Sequence, residues 1–225
     1  MPESPLKSVS LFTDLDDKSL ARLESLLSVK RYKKNNLIIF EDDKGLNLFI
    51  INQGRVKISR ISEEGGEVIL AILGEGEFFG EISVVDGLSR SATVTSLDEV
   101  ELLVMKREDF LAALQEFPQV GIALLRELAG RIRKSDAQIK SLSLRNARGR
   151  VATTLIRLAE DIGRVREGKV IIPELPLQRD LANIAGTSRE TISRVIASLE
   201  KDGHCYKKEN SLVFDNFERF KREFV

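Results

Sequence analysis

The 225-residue chain holds one cysteine and one histidine, and it has no excess of charge of either sign, with 35 basic and 35 acidic side chains. A lone thiol, Cys205, excludes an internal disulfide framework and the clustered thiolates that an iron–sulfur centre requires, and it fits a reducing compartment. His204 stands beside Cys205, but neighbours on a strand point to opposite faces and no third ligand is near, so both are expected to be packing and surface residues rather than a metal site. No apolar run approaches the ~20 residues needed to span a bilayer. The opening MPESPLKSVSLF also lacks the basic-then-apolar order of a signal peptide. The expected location is therefore cytoplasmic, with no membrane partner.

The balance of charge conceals a gradient. Residues 1–142 carry 19 basic against 23 acidic side chains, whereas residues 143–225 carry 16 against 12. An anionic partner is expected to bind the C-terminal third. The apolar fraction of 42% supports real cores, and the length suits one large or two ordinary domains.

Residues 13–28 place Leu15, Leu20, Leu23, Leu26 and Leu27 at helical spacing, with Thr13 or Asp14 as a candidate N-cap. From about 30 to 107 the texture changes to short Val-, Ile- and Phe-rich runs separated by glycine, the pattern of a β-sandwich or jelly roll. Gly54 and the Gly65-Gly66 pair fall where hairpins require positive φ. Residues 107–145 then read as helix, interrupted at Pro118. Within it Leu125, Leu128, Ile132, Ser135, Ile139 and Leu142 recur at spacings of three and four. Such a heptad seam either pairs with a copy of itself or packs on the chain's own sandwich. Ser135 is polar where the seam calls for a hydrophobe, so it sets the register of a pair or touches something.

Residues 177–202, LQRDLANIAGTSRETISRVIASLEKD, read as two helices flanking a glycine turn, with Thr187 or Ser188 as cap of the second; this is helix-turn-helix spacing. A hairpin around KENS follows and would form a wing. A reading helix must project long polar side chains from its first turn into the major groove. Arg189, Glu190 and Arg194 stand there: arginine bonds bidentately to guanine, and glutamate accepts from cytosine. Gln178, Arg179, Ser188 and Thr191 suit phosphate contacts. A solvated helix with ordinary caps and charge pairs would show the same residues without the function.

A second constellation lies in GEISVVDGLSRSATV, residues 80–94. Arg90, the Ser91-Ala92 backbone and the Ser91 hydroxyl can hold a phosphate, and Glu81 can accept from a ribose hydroxyl. Gly80 and Gly87 admit close approach of a ligand, and a helical turn starting near Glu81 would aim its N–H groups at an anion. The alternative is a Glu81–Arg90 ion pair across a strand connection.

The run of glycines through GGEVILAILGEGEFFGEISVVDGLSRSATV, the long helix after it and GTSRETISRVIASLE together resemble the cyclic-AMP receptor protein/fumarate-nitrate regulator family of bacterial transcription factors. The resemblance extends from about residue 12 to 215. It implies an α+β architecture: an N-terminal cyclic-nucleotide-binding jelly roll over residues 1–118, a long dimerisation helix over 119–145 and a C-terminal winged helix-turn-helix over 146–225. By the same resemblance Gly80, Glu81, Arg90, Ser91 and Ala92 belong to a phosphate-binding cassette, with Glu81 on the ribose 2′-hydroxyl and Arg90 and Ser91 on the cyclic phosphate. Ser135 and Asp136 then correspond to the pair that meets the base. Asp136 departs from the family's hydroxyl pattern: a carboxylate accepts from an exocyclic amine but is costly to bury near a phosphate.

SRETISR resembles the recognition helices of members that read TGTGA-like half-sites, which implies a palindrome with half-sites about one helical turn, ~34 Å, apart. The family further implies RNA polymerase as a protein partner. An oxygen-sensing cluster would need more cysteines, and a haem sensor would need a histidine in the sensory part.

The expected function is that of a homodimeric regulator of transcription, switched by a cyclic nucleotide, most simply cyclic AMP, through a hinge near residues 145–147. It requires no metal, haem or iron–sulfur cluster. Three alternatives stand beside this reading. One is the same DNA-binding regulator with another effector or none. The second is a nucleotide hydrolase, for which one carboxylate and no histidine in the cassette are a poor provision. The third is a pure dimerisation module, which leaves Arg189 and Arg194 without a purpose.

Overall fold

A computed structural model describes residues 4–224, and the chain divides into two compact units, the first ending at Arg133 and the second starting at Lys134. The first unit opens with a 3-10 turn (Pro5–Ser8) and helix α1 (Asp17–Glu24). The α1 cap is Asp16, whose carboxylate accepts from the Ser19 N–H, rather than Thr13 or Asp14. The apolar pattern overran this helix at its start because Leu15 is buried from the turn that precedes it.

Eight strands follow: β1 (Ser28–Tyr32), β2 (Leu37–Ile39), β3 (Asn47–Gln53), β4 (Val56–Ile61), β5 (Glu67–Leu73), β6 (Phe78–Phe79), β7 (Thr93–Ser96) and β8 (Val100–Lys106). They form two antiparallel sheets of order β1-β8-β3-β6 and β2-β7-β4-β5, the jelly-roll sandwich the sequence led us to expect. Helix α2 (Glu81–Asp86) lies between β6 and β7, and α3 (Arg107–Glu116) follows β8. Helix α4 runs from Pro118 to Leu144.

The strand runs of β3 and β8 are apolar without alternation because both faces of their sheet are covered. Phe49 and Ile51, with Leu102 and Val104, fill the sandwich interior. Their alternate neighbours, Leu48, Ile50, Leu103 and Met105, pack under the helical layer with Phe110 and Leu124. Phe78 and Phe79 divide between the same two cores. Strand β6 is thus anchored from both sides, and it leads directly into α2, where the candidate cassette begins.

In the second unit the end of α4 is followed by α5 (Ala147–Ile162), β9 (Arg164–Arg166), β10 (Lys169–Ile172), α6 (Gln178–Ala185), α7 (Arg189–Lys201), β11 (Tyr206–Lys208), β12 (Ser211–Phe214) and α8 (Phe217–Phe224). The sheet order is β11-β12-β10-β9, so the expected wing hairpin β11–β12 is one half of a four-stranded sheet. His204 and Cys205 precede β11 rather than lying on it, and both are buried, so they are packing residues and neither is a surface one. His204 packs against Phe220 and Phe224 of α8, a helix the sequence reading did not resolve. Burial pushes the Cys205 thiol up to about 12. Among the described residues no group of His, Cys, Asp and Glu is placed to hold a metal ion, and no helix is long and apolar enough to cross a membrane.

Candidate functional site

Gly80 occupies the junction of β6 and α2 with φ of +82°, in the left-handed region that glycine tolerates best. A Cβ there would come within 2.6 Å of Arg90 Nη1 and 3.1 Å of the Asn47 carbonyl, so the turn needs glycine for space as well as for φ. The bend places Glu81 in the first turn of α2 and lets Arg90, ten residues on, fold back under it.

Arg90 is 5% exposed. Its Nη1 donates to the Gly80 carbonyl (2.9 Å) and to Ser83 Oγ (2.8 Å), its Nη2 donates to the Asn47 carbonyl (2.8 Å), and its guanidinium lies over the Phe49 ring. Burial lowers its pKa from the usual arginine range, with Glu81 and Asp43 opposing. Three N–H groups are thereby engaged, and two of the five on a guanidinium have no acceptor among the described residues. The neighbouring Ser91 is exposed and Ala92 half-buried.

Glu81 is 2% exposed and does not pair with Arg90. Its Oε1 accepts from Arg131 Nη1 of α4 at 2.7 Å, which overturns the alternative of a Glu81–Arg90 ion pair. Arg131 also donates to the Phe78 carbonyl and stacks 4.7 Å from the Phe78 ring centre. The other carboxylate oxygen, Oε2, is buried and has no hydrogen-bond partner among the described residues. An acceptor left in this condition costs ~1–3 kcal/mol, more when charged, until a donor reaches it. Arg131 and Ser83 were not singled out in the sequence. Ser83 was legible as the residue three after Gly80 on a helical turn, whereas Arg131 carried no signal in a helix read only for its apolar seam. Ser135 and Asp136 lie beyond Arg131 on α4, in the second unit, and both are exposed.

The other constellation lies wholly in the second unit. Gly186 closes α6 with φ of +59°, the turn spans Gly186, Thr187 and Ser188, and Ser188 caps α7 by accepting from the Thr191 N–H. Ile192, Val195, Ile196 and Leu199 bury one face of α7. The helical period therefore leaves Arg189, Glu190, Ser193 and Arg194 exposed on the opposite face. Ser193 was overlooked, although it follows Arg189 by one turn. Gln178 and Arg179 are exposed in the first turn of α6, and Arg179 also stands 3.7 Å from Asp180. Arg194 Nη2 reaches Thr191 Oγ1 at 3.3 Å. The Glu190 carboxyl is held below its usual range by its own backbone N–H and the Ser188 side chain, so it is an anion that accepts.

Two arginines of α5 fix this reading head. Arg148 donates to Ser198 Oγ (2.6 Å) and Asp202 (2.7 Å) at the end of α7. Arg150 donates to the carbonyls of Ala185 and Gly186 in the turn and to that of Arg145 at the end of α4. The wing, the turn and the exposed polar face define a winged helix-turn-helix that follows a jelly roll in the chain, the architecture of an effector-linked DNA-binding protein.

The comparisons agree part by part. Residues 29–117 match the family described as "Cyclic nucleotide-binding domain" and residues 149–223 the "Crp-like helix-turn-helix domain". The cyclic AMP receptor protein of Thermus thermophilus is 35% identical over 88% of this chain and 88% of its own. The CRP-like cAMP-activated global transcriptional regulator of Mycobacterium tuberculosis is 29% identical over 96% of this chain and 97% of its own. FixK2 from Bradyrhizobium japonicum shares the fold with a TM-score of 0.78 at 23% identity, over 88% of this chain and 98% of that one. The chain belongs to the cyclic-AMP receptor protein/fumarate-nitrate regulator family of transcription regulators, with a cyclic-nucleotide-binding domain and a DNA-binding helix-turn-helix.

Proposed function

We propose that the chain is a homodimeric, sequence-specific regulator of transcription that cyclic AMP switches, and that it has no catalytic step of its own. The observation that carries this reading is the half-satisfied Glu81. One carboxylate oxygen is held by Arg131, and the other is a buried acceptor without a donor, in the cassette where Arg90 retains two unused N–H groups. A ribose hydroxyl supplies the donor that Glu81 lacks, and a cyclic phosphate supplies acceptors for Arg90, Ser91 and the adjoining backbone. The relatives named as cyclic-AMP-responsive support the choice of base. Gly80 keeps the cradle open, Ala92 continues it, and Ser135 and Asp136 are assigned to the base.

The working division is residues 1–118 for the effector, 119–145 for dimerisation and 146–225 for DNA, in the cytoplasm. Leu125, Ile132 and Ile139 are each more than 60% exposed and follow one another at intervals of seven, a seam suited to a second copy. Leu128, by contrast, packs on the core of its own unit. Two copies would present two α7 helices to a TGTGA-type palindrome, with Arg189, Glu190 and Arg194 reading bases, Gln178, Arg179, Ser188 and Thr191 positioning phosphates, and RNA polymerase as the further partner. Cyclic AMP acts only through its differential affinity for two arrangements of the hinge near residues 145–147.

Fluorescence anisotropy of a labelled TGTGA-type palindrome, titrated with protein at fixed salt with and without cyclic AMP, tests the reading. A gain in affinity of about tenfold, ~1.4 kcal/mol, is expected. Equal binding in both titrations overturns cyclic AMP as the switch, and absence of binding in both overturns the DNA target.

A further inference from the structure

The second unit contains a cavity of about 350 Å³ between the end of α4 and helices α5, α6 and α8. This volume is at the lower end of the ~300–1,000 Å³ typical of small-molecule sites. Leu142, Ile156 and Ile184 contribute apolar walls. Two features set the cavity apart from a packing void.

The first is Arg157, half-buried on α5 and lining the cavity. Of its five N–H groups one has an acceptor among the described residues, Gln138 Oε1 of α4 at 2.6 Å. Burial pushes its pKa down, with Asp161 opposing, so its surroundings under-solvate the cation. The neighbouring cations are already matched: Lys134 with Asp161 at 2.6 Å, Lys221 with Glu160, and Arg150 with three backbone carbonyls.

The second is a pair of hydroxyls. Ser141 and Thr154 are each 7% exposed, both line the cavity, and neither side chain makes a hydrogen bond among the described residues. A helical serine or threonine ordinarily bonds the carbonyl four residues back, as Thr153 does to Gly149 at 2.8 Å. Two hydroxyls without a protein partner line the cavity beside an under-coordinated arginine and can donate to a ligand's acceptors, and an apolar wall adjoins them.

We propose that this cavity binds a small organic anion with an apolar body, its charged head held by Arg157, Ser141 and Thr154 and its body by Leu142, Ile156 and Ile184. The site is separate from the cassette of Glu81 and Arg90, and it touches α6, the first helix of the helix-turn-helix.

Ligand-observed NMR on the full-length protein tests it, with hexanoate and hexyl phosphate as probes and 1-hexanol as the uncharged control. Saturable binding of at least one anion is expected, about tenfold or more tighter than the alcohol. Preference for hexanoate identifies a carboxylate ligand, and preference for hexyl phosphate identifies a phosphate ester. Arg157→Leu is expected to weaken binding about tenfold, and the double variant Ser141→Ala with Thr154→Val to weaken it severalfold, keeping the proposal open to refutation should Arg157→Leu fold poorly. Failure of both anions to saturate, unchanged affinity in these variants, or competitive displacement of the probe by cyclic AMP would each overturn the assignment.

Discussion

The two units treat the charges of their proposed sites in opposite ways. In the first, Glu81 and Arg90 are 2% and 5% exposed, and the fold itself supplies most of their partners: two carbonyls and a serine for Arg90, and Arg131 for Glu81. In the second, Arg189, Glu190 and Arg194 stand exposed on a helix whose other face is core. A ligand small enough to be enclosed needs its charges desolvated before it arrives, and the protein must then satisfy them in the meantime. A duplex is met on the surface, where the reading groups stay hydrated until contact and the scaffold fixes only their direction.

The contrast is sharpest in what single substitutions should do. Arg90→Leu is expected to cost about 3 kcal/mol of stability in denaturant unfolding, because it orphans the Gly80 and Asn47 carbonyls, and to abolish any response to cyclic AMP. Arg189→Ala is expected to leave stability within ~0.5 kcal/mol while weakening the palindrome by ~1–3 kcal/mol in anisotropy at fixed salt. If Arg189→Ala destabilised the fold as much as Arg90→Leu, the division between buried and surface charge would be wrong.

Smaller effects refine the comparison. Ser188→Ala should lower the stability of the second unit by about 1 kcal/mol through loss of the α7 cap, measurable by thermal unfolding. Salt offers a test without mutation: log affinity for DNA should fall steeply with log salt, and affinity for cyclic AMP should change far less, since the cassette charges are shielded from solvent.

The smallest effect at neutral pH concerns Cys205, whose thiol is raised from about 9 to about 12 by burial. A raised folded pKa means that the folded state holds its proton more tightly. The contribution is therefore fully present below about pH 9 and declines as pH rises from there toward 12. Alkylation by iodoacetamide at pH 8 should proceed no faster than unfolding; rapid labelling of the native protein would contradict the burial.

Much of this was legible in the residues. The jelly roll followed from short apolar runs punctuated by glycine, and the reading helix from the cap, turn and polar first turn of residues 186–194. The parts that escaped did so for physical reasons. Strand β1, SVKRY, is mostly exposed and polar, so it has no apolar signature and is recognised only through its pairing with β8. Helix α8 hides in FERFKREF, where Phe217, Phe220 and Phe224 at helical spacing were passed over in favour of the hairpin before them. Arg131 was invisible because its role depends on a carboxylate fifty residues earlier in the chain, a contact that periodicity does not encode. The same holds for Arg90: the residue was found, but its three acceptors emerge only from the fold.

The central claim is that a ligand in the first unit and DNA on the second are energetically linked, and linkage is reciprocal. The most direct test is calorimetric titration of cyclic AMP into the protein alone and into the protein saturated with the TGTGA-type palindrome. The account predicts that DNA raises the affinity for cyclic AMP by the same factor, about tenfold, by which cyclic AMP raises the affinity for DNA. Identical cyclic-AMP affinities in the two titrations would contradict it.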